Sequence, residues 1–188
     1  MTTAILVERI TEASPVLKAR WAGALYLLAV AMAASGESFL RDRLSVAAGQ
    51  LAVACFVAVT LILYDIFAEV NRNLSWFAAS FGLAGLTFEA LRWNPGGVDV
   101  AMGFHGISCL LFGYLVFRST FLPRILGGLM AFAGLAWLPF LSPPLANSLS
   151  PYNVAAGFVG EASLMLWLLF VGTHLSTWKR TDFSPLEK

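Results

Sequence analysis

Charge is what this chain has least of: only 12% of its 188 residues are Asp, Glu, Lys or Arg, about half the share found in an ordinary soluble domain. Lysine is scarce, at Lys18, Lys179 and Lys188. None lies in an apolar stretch, which excludes a retinal-type Schiff base. Histidine occurs twice, at His105 and His174, toward opposite ends of the predicted spans, so one haem cannot use both. The two cysteines, Cys55 and Cys109, sit inside apolar runs on different predicted helices at unlike depths, a pattern of packed thiols rather than of a disulfide. A net charge of +1 offers no basic stripe to displace counterions from phosphates, so nucleic acid is excluded as a partner. The Glu-x-x-His pairs of a di-iron bundle, the His-Glu-x-x-His zinc signature and the Gly-x-Ser-x-Gly nucleophile elbow are absent as well.

What the chain does have is hydrocarbon. Hydrophobic residues make up 59% of it, and the mean hydropathy is +0.76, which points to a lipid bilayer as solvent. Six segments come near the roughly 20 apolar residues needed to cross a bilayer: Trp21–Phe39, Val46–Ala68, Ser75–Trp93, Val100–Phe117, Leu122–Leu141 and Asn153–Leu175. Polar or helix-breaking clusters separate them. Arg41, Asp42 and Arg43 follow the first span, Asn71, Arg72 and Asn73 the second, and Asn94, Pro95, Gly96 and Gly97 the third. Pro123 suits the first turn of a fifth helix, and Ser14-Pro15 reads as a helix start. The stretch from Ser142 to Tyr152, with three prolines and no charge, reads as a loop.

The predicted fold is an all-α, polytopic six-helix transmembrane bundle. Its organisation is an interfacial or cytoplasmic segment at 1–20, which has no signal-peptide pattern, a membrane domain at 21–175 and a cytoplasmic tail at 176–188. Orientation follows from counting basic residues on alternate sides. Arg9, Lys18, Arg20, Arg72, Arg118, Arg124, Lys179, Arg180 and Lys188 collect on one side, against Arg41, Arg43 and Arg92 on the other. Nine against three places both termini in the cytoplasm, and the predicted location is the cytoplasmic (inner) membrane of a bacterium. Trp21, Trp76 and Trp178 then fall at the inner interface, with Trp93, Trp137 and Tyr152 near the outer one.

This topology brings Glu37, Glu89, His105 and Glu161 toward one side of the membrane. An ionisable group within a span costs at least about 2.5 kcal/mol, so it usually faces a bundle interior, a partner or a pathway. Glu37 and Glu89 have Arg41 and Arg92 within one helical turn and are placed to be interfacial ion pairs. His105 shares a helix face with Cys109 and adjoins Gly106. Glu161 is the deepest, with no basic residue within a turn, and must be protonated, paired across helices or solvated. At the opposite side, Asp65, Glu69 and Arg72 on consecutive turns read as salt bridges that pin helix ends. Gly127, Gly128, Ala131 and Gly134 read as a packing seam on the fifth helix.

Three runs carry a resemblance. They are Lys18 to Leu28 with Arg-Trp-Ala-Gly at Arg20 to Gly23, then Gly113-Tyr-Leu-Val-Phe-Arg-Ser-Thr-Phe-Leu-Pro-Arg-Ile-Leu-Gly127, and finally Gly160-Glu161 ahead of Leu166-Trp167-Leu168. Over nearly its whole length the chain resembles a family of bacterial integral membrane proteins catalogued only as a domain of unknown function. The likeness implies the membrane fold and draws attention to Glu37, His105 and the Gly160-Glu161 pair; it supplies no activity and no cofactor. Two function classes fit the residues. In one, an outer-leaflet pocket of Glu161, His105, Glu89 and Glu37, with Arg41 and Arg92 above it, binds a proton, a cation or a small polar ligand, for binding or for a membrane-embedded reaction. In the other, the protein is a non-catalytic scaffold or accessory subunit, and these residues tie helices together.

Overall fold

In the computed structural model, residues 15–38 and 43–171 are described, with side chains described from Val16 to Ala33 and from Leu44 onward. The elements are α1 (Pro15–Ser38), α2 (Arg43–Leu91), α3 (Val100–Arg118), α4 (Arg124–Trp137), a short α5 (Pro143–Leu149) and α6 (Tyr152–Val171), with 3-10 turns at Pro95–Gly97 and Leu138–Leu141. No strand occurs among the described residues. Five of these helices are long and apolar enough to cross a membrane.

One of the five is long enough to cross twice. At 49 residues, α2 would be about 70 Å long if straight, against a hydrocarbon core of about 30 Å. It folds back at Asn71, whose φ of −160° and ψ of 105° break the helix. The Asn71 side chain accepts a hydrogen bond from the Leu74 amide at 3.0 Å, so the same residue that ends the first limb caps the second. The limbs then run antiparallel. Ser75 Oγ donates to the Tyr64 carbonyl at 2.9 Å, Gly82 meets Thr60, and Gln50 Nε2 donates to the Ala90 carbonyl at 3.3 Å. Six membrane-capable segments result, as the hydropathy predicted, with the second and third joined by one residue instead of a loop.

Glycine contacts set the register of α3 against α4. A Cβ on Gly106 would press on the Gly134 carbonyl, and one on Gly113 on the Gly127 carbonyl and Ala131 backbone. The two antiparallel backbones touch at equal intervals, as small residues permit in lipid. Gly134 and Gly127 thus belong to the seam; Gly128 does not, since none of the described residues lies within 4 Å of its would-be Cβ and it faces outward. Around the bundle, α1 packs on α2 and α6, α3 on α2 and α4, and α4 on α6, which closes a ring.

Two local expectations change. The stretch after Ser142 is helical from Pro143 to Leu149, because prolines in a first turn lack only an amide that had no partner there. The third span ends on Arg92, at a φ of 51°, with the Trp93 amide bonded to the Phe88 carbonyl and the Arg92 amide to that of Glu89. Arg92 therefore occupies the left-handed closing position of a Schellman motif, where glycine is usual.

Candidate functional site

The side chains of the candidate site come from four helices of the ring. Asp99 starts α3 by accepting from the Met102 amide at 3.0 Å, and its own amide donates to the Phe140 carbonyl at 3.2 Å, which fixes the start of α3 against the end of α4. His105 and Cys109 follow one turn apart on the inward face of α3. The glycine register of α3 and α4 brings Trp137, the last residue of α4, beside Gly106 and His105. Gly157 on α6 makes room for it, since a Cβ there would collide with the indole. Glu161 lies one turn further along the same face of α6, roughly 14 Å from the helix start at Tyr152. On α1, Ala19, Ala22 and Ala29 form a fully buried small-residue stripe around Tyr26, which points its ring inward.

These residues converge on the Glu161 carboxylate, which is 4% exposed. Trp137 Nε1 donates to Oε1 at 2.5 Å, and Tyr26 Oη donates to Oε2 at 3.2 Å. His105 Nε2 lies 2.9 Å from Oε1. When the carboxylate is ionised it offers only acceptors, and His105 then bonds it through a hydrogen on Nε2. The Cys109 thiol closes the group, with Sγ 3.6 Å from His105 Nε2 and 3.8 Å from Glu161 Oε1. Nitrogen, sulfur and oxygen ligand atoms of these three residues all fall within 4.8 Å of one another. The imidazole is the least enclosed member, with 30% of its side chain exposed against 6% for Glu161.

The two ends of the bundle differ around this cluster. Toward the end where α3 and α6 finish, the faces below the site are closed by Phe67, Phe112, Leu115, Leu164 and Leu168, all buried. Toward the end where they begin, Trp137 packs on His105, Phe140 and Phe158, with ring centroids 6.1, 5.7 and 5.6 Å away. Asn153, two turns before Glu161 on the same face, is 5% exposed, and neither its amide nitrogen nor its oxygen has a hydrogen-bond partner among the described residues. Leaving such a group unbonded costs about 1 to 3 kcal/mol, so the interior is more polar on that side of Glu161 than on the other.

The structure pairs Glu161 with His105 across helices, one of the three states open to it from the sequence. Glu89 is exposed one turn beyond Gly85, which itself packs on the α3 backbone at Ala101 and His105; Arg92 is exposed at the helix end. The Glu37 side chain, Arg41, His174, Trp178 and the segments 1–14 and 172–188 lie outside the described residues. Trp137, at the end of α4, faces the bundle interior rather than lipid: it is 5% exposed, and its indole N–H donates to the Glu161 carboxylate. Trp21, Trp76, Trp93 and Tyr152 are exposed. Sequence reasoning missed Tyr26 and Trp137 as site residues and read Cys109 only as a packed thiol; Trp137 lies on the Gly127–Gly134 seam, and Ala19, Ala22 and Ala29, buried around Tyr26, are the signal that could have found Tyr26. Of the acids read as pinning helix ends, Asp65 pairs with Lys18 at 2.5 Å, linking α1 to α2.

Fold and site together define a multi-pass helical membrane protein closed around a buried carboxylate, imidazole and thiol. Residues 84–172, which contain all of the cluster except Tyr26, match the family described as a domain of unknown function (DUF4386). The chain is also 30% identical over 131 residues to an uncharacterized protein of Archaeoglobus fulgidus, an alignment covering 64% of this chain and 78% of that one. The chain belongs to this family, as its resemblance implied. No solved structure matches it.

Proposed function

We propose that this protein lies in the bacterial cytoplasmic membrane with both chain ends in the cytoplasm, and that it holds a positively charged species, a proton or a metal cation, at Glu161 and His105. The observation that carries this reading is the buried Glu161 carboxylate facing the imidazole at 2.9 Å, while Tyr26 and Trp137 fix both of its oxygens. A carboxylate at such depth is costly, and its orientation by two neutral donors leaves one side chain, His105, open toward the exterior of the fold. The basic-residue count supports an outward-facing start for α3 and α6. The apolar side chains on the other side favour exchange with the outer face over a path through the membrane.

The scaffold reading draws on the same carboxylate, since Glu161 ties α6 to α1, α3 and α4. Glu161→Gln and Glu161→Leu separate the two. For a cation site, Glu161→Gln keeps or raises the stability of the purified protein, because functional groups commonly sit at a cost to the fold. The same change removes the stabilisation that a bound cation gives the wild type, about 2.7 kcal/mol at a hundred times its Kd. A loss of about 3 to 5 kcal/mol on Glu161→Leu, in a protein that no cation and no change of pH stabilises through Glu161, overturns the proposal.

A further inference from the structure

We propose that His105 Nε2, Cys109 Sγ and Glu161 Oε1 form a three-ligand site for a divalent transition-metal ion of the zinc class. This rests on the cation reading above and narrows it to one kind of ion.

The first support is metric. A tetrahedral ion held at about 2.0 to 2.3 Å by nitrogen, oxygen and sulfur sets those donors roughly 3.3 to 3.6 Å apart. The three edges here are 2.9 Å for nitrogen to oxygen, 3.6 Å for sulfur to nitrogen and 3.8 Å for sulfur to oxygen. Opening one edge by a few tenths of an ångström and shortening another would seat the ion. His105 and Cys109 come from successive turns of α3, whose backbone is packed against Gly85 on one side and Gly134 on the other, so the turns that carry two of the three donors are fixed in the bundle.

The second support is chemical. A thiol beside an imidazole selects borderline or soft ions; magnesium, calcium and alkali-metal ions favour all-oxygen shells. A thiolate and a carboxylate together carry two negative charges, which a dication neutralises, and neutrality is what a low-dielectric interior requires of buried charge. Beyond the ligands, Trp137 and Tyr26 both donate to the Glu161 carboxylate, the arrangement by which neighbouring residues orient a metal-bound carboxylate. Three protein ligands leave the fourth position of a tetrahedron free. That is the pattern of sites that bind and exchange a small ligand rather than of purely structural ones.

The test uses the full chain in detergent, stripped with chelator and titrated with Co2+. Binding of one ion per chain is expected, with the intense visible bands of tetrahedral cobalt and a thiolate-to-cobalt charge-transfer band, all lost on addition of Zn2+. Cys109→Ser, verified as folded by circular dichroism, loses the charge-transfer band; Cys55→Ser keeps it. Tyr26→Phe and Trp137→Phe keep the band and weaken affinity by roughly 10- to 100-fold. A folded wild-type protein with no such band, or a Cys109→Ser variant that retains it, overturns the metal assignment. If stabilisation by protons or alkali-metal ions still depends on Glu161 in that case, the broader cation reading survives the failure of this one.

Discussion

Replacing Gly157 by alanine would place a methyl group inside the van der Waals envelope of the Trp137 indole, 2.8 Å from Nε1 and nearer still to Cε2 and Cζ2. Trp137 has little freedom to yield, because its ring is 5% exposed and packed on His105, Phe140 and Phe158. Overpacking of this kind costs about 1 to 3 kcal/mol. Tilting the indole also weakens its hydrogen bond to Glu161, worth about 1.5 to 3 kcal/mol when the acceptor is charged. Against these stands the better helix propensity of alanine, about 1 kcal/mol. The net expectation for Gly157→Ala is a loss of about 2 to 5 kcal/mol, read from equilibrium unfolding in mixed micelles by far-ultraviolet circular dichroism. The same change in a Trp137→Leu background meets no indole and has no hydrogen bond to lose, so it should be neutral or stabilising. A coupling energy of about 3 kcal/mol or more between the two positions is therefore expected. A Gly157→Ala cost that is the same in both backgrounds, with coupling below about 1 kcal/mol, refutes the placement of Trp137 against α6 and the delivery of its indole to Glu161.

Other outcomes follow from the same contacts. Gly127→Ala, whose Cβ would fall 2.7 Å from both the Gly113 carbonyl and the Phe117 amide, should cost at least about 1 to 3 kcal/mol by overpacking. Gly128→Ala, one residue away with open space around it, should be neutral or slightly stabilising in the same unfolding assay. Asn71→Ala removes the cap of the second limb of α2 and should cost about 1 kcal/mol, with Asn71→Asp or Asn71→Ser retaining most of it. Arg92→Gly relieves a non-glycine residue at a φ of 51° and should raise stability by up to about 1 kcal/mol; a large loss instead would give the Arg92 side chain a role that its helix-closing backbone does not.

The number of membrane segments was legible because hydropathy and segment length are properties of the chain alone: lipid demands about 20 apolar residues per helix wherever the helix ends up. The breaks were legible for a similar reason, and Asn71, Arg92 and Pro123 act at them through local backbone chemistry. Glu161 and His105 could be singled out because an ionisable residue in an apolar run is conspicuous whatever it contacts. Their partners were not conspicuous. Tyr26 and Trp137 belong equally well to a lipid interface or to a core, and only the facing of their helices decides which. That facing depends on close backbone approaches, Gly106 on Gly134 and Gly157 on Trp137, between positions far apart in the chain. The sequence alone therefore determined a multi-pass helical membrane protein with a costly carboxylate and imidazole in it. Only tertiary packing decided that the carboxylate lies at the centre of the ring, bonded from three other helices and within reach of a thiol, because side chains from separate helices meet at one point only once every helix has its rotation and depth.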